Sequence, residues 1–198
     1  MNAPLAISAF FAAFLLGSIP FGYLVGRLFY RRDIRTQGSG NIGAMNALRT
    51  LGRGGAIAVL LLDALKGFLP ALWALATIGQ PIAAVVAAGA VLGHCFSPWL
   101  RFRGGKGVAT SFGAIFALCW PAGLVAVAGW IAGAALTRYS SVGSMLGSVL
   151  AAVALWRLGG SLAATMYGVF SVLLILFTHR DNIRRLLAGT ENPIRLKG

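Results

Sequence analysis

The chain has 198 residues, of which 58% are hydrophobic and 11% are charged, and its formal net charge is +13. A soluble domain carries about 25% charged residues, so this composition excludes a soluble protein and indicates an integral membrane protein. The positive charge does not indicate nucleic-acid binding, because the basic residues cluster between apolar runs, as the positive-inside rule for membrane proteins predicts.

Seven apolar segments follow one another along the chain. They span residues 4–29, 55–78, 82–97, 108–118, 122–137, 141–156 and 161–178. Several are shorter than the ~20 residues that cross a bilayer, which predicts local thinning or a basin let into the membrane. Residues 108–137 also allow a second interpretation, as one bent segment. We predict a single domain over residues 1–198, an all-α bundle of about seven transmembrane helices.

The distribution of basic residues predicts the orientation of this bundle. No basic residue precedes the first segment, whereas Arg27, Arg31 and Arg32 lie at its end, which is the reverse of a signal peptide. Seven crossings place nearly all remaining Lys and Arg residues on the side of these arginines. We therefore predict an N-terminus outside, a C-terminus inside, and cytoplasmic loops at residues 30–54, 97–107 and 179–198.

The first polar cluster covers residues 38–49. Its polar side chains include Ser39, Asn41, Asn46 and Arg49. The formal G-x-G-x-x-G within it does not indicate a dinucleotide site, because a membrane helix precedes it where that fold needs a strand. Ser39 and Asn41 fit the N-cap of a helix over Asn41–Arg49. The alternative, which we favour, is that these residues bind a polyhydroxy, phosphate-bearing ligand.

The second polar cluster is Gly104-Gly105-Lys106-Gly107. Glycines let successive N–H groups form a concave nest for an anion. An apolar run begins at Val108, so the loop would lie at a helix N-terminus, where the dipole also favours an anion. We interpret it as a phosphate cradle, with an ordinary basic loop between membrane helices as the alternative. It is not a nucleotide P-loop, because Gly107 follows the lysine where that motif has Ser or Thr.

The third polar cluster covers residues 179–191, where the last apolar segment leaves the membrane. A basic helix end that extends its arginines to anionic lipid would account for Arg184 and Arg185. It does not account for His179, Asn182 and Glu191, which recur beside those arginines. We therefore interpret this cluster as functional too.

Acidic residues are few. They are Asp33, Asp63, Asp181 and Glu191, and their scatter predicts no magnesium or other metal site. Asp63 lies three residues before Lys66 on one face of the second segment. Ionisable groups at that depth are costly, so we expect the two to pair in the interior, with a supporting role for Lys66 in anion binding as the alternative.

These three clusters, in this order, resemble the bacterial acyl-phosphate:glycerol-3-phosphate acyltransferases. The matching stretches are residues 38–49, 93–110 and 179–191, supported by residues 17–22 and by Asp63-x-x-Lys66-Gly67. The resemblance implies a seven-helix enzyme of the bacterial cytoplasmic (inner) membrane with its active site on the cytoplasmic side. Such an enzyme transfers an acyl group from acyl phosphate to glycerol 3-phosphate, forming lysophosphatidate and phosphate, and needs no metal, nucleotide or other cofactor.

The resemblance also implies roles for individual residues. The catalytic set would be His179, Asn182, Ser39 and Asn41. The set that binds substrate and phosphate would be Arg49, Lys106, Gly104, Gly105, Gly107, Asn46 and Glu191. The acyl chain would lie between helices, in contact with lipid. His179 would act as a general base or as a positioner of the reacting hydroxyl; we favour the second, because no carboxylate is clearly placed to hold its ring in one tautomer.

Two other classes of protein remain as alternatives. A transporter of small organic anions would use the same basic mouth, but it would also place polar residues at the midplane and on both faces. A scaffold that binds anionic lipid would explain the arginines but not the glycine-lysine loop.

Overall fold

The computed structural model describes residues 3–194, and these form nine α-helices and no strand. The helices are α1 (Ala3–Gly17), α2 (Phe21–Phe29), α3 (Ala44–Thr77), α4 (Gln80–Cys95), α5 (Val108–Leu118), α6 (Trp120–Thr137), α7 (Ser140–Leu158), α8 (Leu162–Thr178) and α9 (Arg180–Leu187). Single 3-10 turns lie at Ile34–Thr36 and Pro98–Leu100. The predicted all-α class is therefore confirmed. Residues 195–198 of the predicted cytoplasmic tail lie outside the described residues.

Five stretches within residues 3–194 are long and apolar enough to cross a membrane. They are Ala3–Phe29, Ala44–Thr77, Gln80–Leu100, Trp120–Thr137 and Ser140–Leu158. A sixth is α8 if it is counted with α9, from which it is bent by 59°. Helix α5 has 11 residues, about half of what a full crossing needs. All seven predicted segments are thus helical, while seven crossings and the orientation of the termini stay predictions.

Three breaks interrupt the apolar stretches. Pro20 separates α1 from α2. Gly52 kinks α3 with φ +83° and ψ −171°, a conformation that glycine adopts readily, and Arg32 donates to the Thr50 carbonyl beside it at 2.7 Å. Extended backbone at Cys119 (φ −162°, ψ 96°) separates α5 from α6. Residues 108–137 are therefore two helices with a break between them, and the number of times they cross the membrane stays a prediction.

Small residues let the helices pack backbone to backbone. A Cβ on Gly133 would lie 2.8 Å from the Cα of Gly143, and one on Gly129 would lie 2.9 Å from the Cα of Gly147. Helices α6 and α7 therefore meet along these four glycines. Gly93 of α4 lies equally close to the backbone of α1. Small residues one helical turn apart allow such close contacts between helices in lipid.

Candidate active site

A cavity of about 510 Å³ lies among α3, α5, α6, α7 and the junction of α8 with α9. Nine of the eleven predicted site residues border it: Ser39, Asn41, Asn46, Arg49, Lys106, Gly107, His179, Asn182 and Glu191. Gly104 and Gly105 do not border it. The remainder of the wall is largely apolar, from Leu60, Leu61, Phe112, Phe116, Val127 and Ile131. The cavity thus has a polar end and an apolar end.

The start of α3 brings the first cluster to the polar end. Helix α3 begins at Ala44, with Gly43 as its N-cap, so the predicted helix start at Asn41 is wrong. Asn41 does not cap the helix. Its Oδ1 accepts from the N–H of Gly43 at 2.9 Å, and Gly43 precedes the first helical residue. Arg49 lies further along α3 with an exposed side chain, and its guanidinium is 3.5 Å from the carbonyl oxygen of Asn192.

Asn46 holds the loop before α3 in place. Its Nδ2 donates to the carbonyls of Ile34 (2.7 Å), Gln37 (3.1 Å) and Asn41 (2.8 Å). Its Oδ1 accepts from the N–H of Ser39 at 2.8 Å. These bonds engage both ends of the side-chain amide and hold the backbone that carries Ser39 and Asn41. Because Asn46 also borders the cavity, its predicted substrate contact stays a prediction.

The glycines of the loop after α4 serve close packing rather than a nest of free amides. Gly104 donates its N–H to the Cys95 carbonyl and Gly105 to the His94 carbonyl, both at 3.0 Å. A Cβ on Gly104 would overlap the His94 carbonyl oxygen, and one on Gly105 would overlap the His94 imidazole. These two amides are therefore engaged within the protein, which corrects the predicted contact of Gly104 and Gly105 with phosphate.

The N-terminus of α5 lies at the cavity, as the sequence predicted. Gly107 caps the helix in the left-handed region (φ +83°), and α5 begins at Val108. The first amides of a helix lack intrahelical partners and carry the positive end of its dipole, which favours a bound anion. Thr178 Oγ1 donates to the Lys106 carbonyl at 3.0 Å, so the loop is also fixed to the end of α8.

A chain of hydrogen bonds links the second and third clusters. Lys106 Nζ donates to Asn182 Oδ1 at 2.5 Å, and Asn182 Nδ2 donates to Glu191 Oε1 at 2.6 Å. Ser141 Oγ donates to the same Glu191 oxygen at 2.9 Å, and Arg185 Nε donates to Glu191 Oε2 at 2.7 Å. Both carboxylate oxygens are thus occupied, and a carboxylate repels phosphate. Glu191 thus holds Asn182 and Arg185 by hydrogen bonds, and because it also borders the cavity, its predicted place in the set that binds substrate and phosphate stays a prediction.

The polar end carries a positive charge that the described part of the chain does not neutralise. Among residues 3–194, neither Lys106 nor Arg49 forms an ion pair. Burial lowers the pKa of the Lys106 ammonium to about 8. The positive charges of Arg185 and Arg49 also lower this pKa, whereas the negative charge of Glu191 raises it. Burial alone would raise the pKa of Glu191, but hydrogen bonds from Asn182 and Arg185 hold it below its ordinary value.

His179 follows α8 directly and is 3% exposed. Its Nδ1 lies 2.8 Å from the Ile175 carbonyl oxygen, and because a carbonyl only accepts, Nδ1 carries the hydrogen. A backbone carbonyl, and not a carboxylate, therefore fixes the tautomer. Burial and the charge of Lys106 lower the pKa of the imidazole to about 4, so the ring is neutral at pH 7. His179 thus offers Nε2 as a hydrogen-bond acceptor.

The sequence interpretation assigned no site role to Ser141 or Arg185, although both border the cavity. The signal for Ser141 was weak: a Ser-Ser pair that follows Arg138 and Tyr139 between two apolar segments. Arg185 stood among several arginines at the end of the last segment, and the sequence did not show which of them turns toward Glu191.

The fold and the cavity define a multi-pass membrane protein with a site for a ligand that is anionic at one end and apolar at the other. The chain belongs to the glycerol-3-phosphate acyltransferase family, whose model matches residues 7–189. The transporter and scaffold alternatives are therefore set aside.

Known proteins similar to this chain also carry the name glycerol-3-phosphate acyltransferase. The glycerol-3-phosphate acyltransferase of Nitrobacter winogradskyi is 48% identical over 98% of each chain. That of Brucella canis is 46% identical over 97% of this chain and 94% of its own. Two crystal structures of PlsY (YgiH), an integral membrane glycerol 3-phosphate acyltransferase, superpose closely. The glycerol 3-phosphate form has a TM-score of 0.91 at 36% identity and 96% coverage of both chains, and the lysophosphatidic acid form has 0.89 at 34%, covering 96% of this chain and 95% of that one.

Proposed function

We infer that this protein is a membrane acyltransferase that acylates glycerol 3-phosphate to lysophosphatidate, and we propose acyl phosphate as the donor. The observation that carries the proposal is the division of one cavity into a cationic end with a neutral histidine and an apolar end. The substrates of this reaction are a small phosphate ester and a phosphorylated acyl chain. A cavity of this kind matches both substrates. Glycerol 3-phosphate would occupy the cationic end alone, and the phosphorylated acyl chain would occupy the whole length.

Two cationic positions fit two phosphates. Lys106 and the N-terminus of α5 would hold one phosphate, through the ammonium and the first free amides of the helix. Arg49, which also borders the cavity, would hold the other with its planar guanidinium. Since neither cation has a carboxylate partner among residues 3–194, both charges are available to ligand.

In the proposed reaction, the hydroxyl oxygen of glycerol 3-phosphate attacks the acyl carbonyl carbon. The bond from that carbon to the phosphate oxygen breaks, and the hydroxyl proton ends on the departing phosphate. His179 Nε2 would accept a hydrogen bond from the hydroxyl, and Asn182, Ser39 and Asn41 would orient neighbouring oxygens. Positioning of this kind contributes about 7–11 kcal/mol of barrier reduction.

The apolar end fits the acyl chain. Leu60, Leu61 and Ile131 border the cavity while 47%, 55% and 55% of their surface is exposed. Cavity-lining side chains of α3 and α6 therefore also face outward, and we propose that the cavity opens between these helices, where an acyl chain would enter from the bilayer. This supports a donor that is dissolved in the membrane.

The proposed location is the bacterial inner membrane with the cavity at the cytoplasmic face. The three polar clusters meet at one end of the bundle, and most basic residues flank them. Excess Lys and Arg mark the cytoplasmic side of membrane proteins, which supports this orientation.

Turnover of defined substrates tests the proposal. We expect the protein purified in detergent to convert synthetic acyl phosphate and glycerol 3-phosphate to equal amounts of lysophosphatidate and inorganic phosphate, without added metal or coenzyme A. Omission of glycerol 3-phosphate should stop phosphate release and serves as the control. Turnover with acyl coenzyme A alone would overturn the proposed donor, and no acylation with either donor would overturn the proposed function.

A further inference from the structure

Three ionisable side chains lie buried beneath the loop that carries Lys106. Lys66 Nζ is 2.7 Å from Asp63 Oδ1, and His94 Nδ1 is 3.5 Å from the same oxygen. Asp63 is 1% exposed, Lys66 7% and His94 4%. The expected pairing of Asp63 with Lys66 is therefore confirmed, and His94 joins the pair from α4.

This cluster joins three elements of the fold. Asp63 and Lys66 belong to α3, and His94 to the last turn of α4. Lys66 Nζ also donates to the Ile19 carbonyl at 2.9 Å, at the break between α1 and α2. Charged groups within a membrane protein are costly, and apolar side chains of similar volume often hold helices together as well or better. Stability alone thus gives no reason for ions at this position.

The cluster supports the loop directly. The His94 carbonyl accepts the N–H of Gly105, and the His94 imidazole fills the space where a Cβ of Gly105 would lie. Lys106 follows immediately, and α5 begins two residues later. A shift of His94 would therefore move both the ammonium of Lys106 and the N-terminus of α5 relative to the cavity.

We propose that Asp63, Lys66 and His94 are positioning residues that set the place of Lys106 in the cavity. The contact of Asp63 with His94 holds the last turn of α4 against α3, His94 transmits that position to Gly105, and Gly105 sets the start of the lysine side chain. The inference rests on the proposed function, because it concerns the same reaction. A misplacement of about 1 Å can cost ~10²-fold in rate, so even a small change in the cluster is expected to lower turnover.

A double-mutant cycle with Lys106 tests this coupling. Asp63→Asn keeps the shape of the side chain and removes its charge. In the otherwise unchanged protein, we expect kcat to fall by ~10- to 10²-fold. In a Lys106→Ala background, the same change should have little further effect, because the group that it positions is absent. An equal fall in both backgrounds would show a merely structural role and overturn the inference.

Two further variants make the cycle decisive. His94→Gln leaves the Asp63–Lys66 pair intact. It should lower kcat in the otherwise unchanged protein and have little further effect in the Lys106→Ala background. This variant keeps the test available if Asp63→Asn does not fold. Ser148→Ala is the matched control, because Ser148 is 1% exposed, donates to the Met145 carbonyl at 2.8 Å and does not border the cavity. Its activity should equal the parent's in both backgrounds. A parent protein without acyltransfer would overturn the proposed function itself, whereas additive effects overturn this inference alone.

Discussion

Burial changes the charge state of the two groups that lie nearest the proposed reaction. It lowers the pKa of Lys106 to about 8 and that of His179 to about 4. The lysine is therefore mostly charged at pH 7 and loses its proton as pH rises through about 8. The histidine is already neutral at pH 7. The pH dependence of turnover should consequently follow Lys106 on the alkaline side and not His179 on the acid side.

Lys106 should set an alkaline limb in kcat/KM, which reports the free enzyme. Its ammonium binds phosphate in the charged form, and that form is lost as pH rises through about 8. Lys106→Arg keeps its charge at higher pH and should move this limb upward. Lys106→Ala should lower activity by ~10²-fold or more. Rates measured between pH 6 and 10 would contradict the assignment if Lys106→Arg kept the limb of the parent protein.

His179 should act as a hydrogen-bond acceptor without titrating in the working range. Because its pKa is lowered to about 4, His179 should contribute no acid limb near pH 6.5 to the wild-type rates. His179→Gln can still accept a hydrogen bond and should stay partly active, while His179→Ala should be much worse. A wild-type limb near pH 6.5 that disappears in an almost inactive His179→Gln variant would instead make His179 the general base.

At the same scale, the sequence predicted which residues gather but not what each side chain touches. Lys106 was correctly expected at a helix N-terminus, because glycines before an apolar run indicate one. The bonds of Asn46 to its preceding loop depend on how that loop folds back. The pairing of Glu191 with Ser141 joins residues 50 positions apart, and no local pattern indicates it.

Residues 188–194, which follow α9, cross the polar end of the cavity, and we call this segment the strap. It returns Glu191 to the cavity, and the Ile194 N–H donates to the Arg138 carbonyl at 2.8 Å, at the turn between α6 and α7. The ion pair of the Glu191 carboxylate with Arg185, at 2.7 Å, holds the strap in place. The strap therefore couples the position of α9, and with it that of Asn182, to α7.

Glu191→Gln should loosen this strap and lower kcat by about tenfold or more, since a hydrogen bond to a charged group contributes about 1.5–3 kcal/mol. The pKa of Glu191 is lowered, so its contribution to stability is present above its ordinary value of 4.5 and is lost as pH falls through the lower folded value. Asp181→Asn is the control, because its pair with Arg184 at 3.3 Å is exposed. Equal activities of the two variants, from a coupled phosphate assay, would contradict the role of the strap.

The contact of α6 with α7 tolerates no side chain at its glycines. Gly133→Leu would place atoms against the backbone of Gly143 and should destabilise the protein by about 1–3 kcal/mol. Ala132→Leu, one residue earlier on the exposed face, should leave the melting temperature unchanged. Tryptophan fluorescence during heating in detergent measures both. A melting temperature for Gly133→Leu equal to that of Ala132→Leu would exclude the packing model.

Among the elements, hydropathy predicted every apolar helix and both ends of α5, but it placed the start of α3 too late in the chain. A run of apolar residues shows that a segment is buried in lipid, whereas a helix ends where its backbone hydrogen bonds stop. The break at Cys119 falls in the gap between two predicted segments, whereas the kink at Gly52 lies where the sequence indicated only a polar loop.

At the scale of the whole molecule, three clusters that are far apart in sequence meet at one end of the bundle. The sequence predicted this meeting because apolar segments of alternating direction return the chain to the same face, and because most basic residues follow those returns. The number of crossings was less predictable, since α5 is too short to reveal from its composition whether it spans.

Cysteine labelling in intact cells tests the orientation. With Cys95 and Cys119 first replaced, a membrane-impermeant reagent added outside should label Leu162→Cys, whose native side chain is 76% exposed next to Gly160. Arg103→Cys, in the glycine-lysine loop region, should react only after the membrane is opened. Labelling of Arg103→Cys from outside would reverse the proposed topology.

The proposed opening between α3 and α6 has a consequence for kinetics. If the acyl donor enters through it, the concentration that matters is the mole fraction of donor in the membrane and not its amount per volume of buffer. Each CH₂ of the acyl chain favours partition into lipid by about 0.8 kcal/mol, so a long-chain donor is almost wholly in the bilayer. The enzyme would then be subject to surface dilution: inert lipid or detergent, added at constant bulk donor, lowers the rate without binding to the protein.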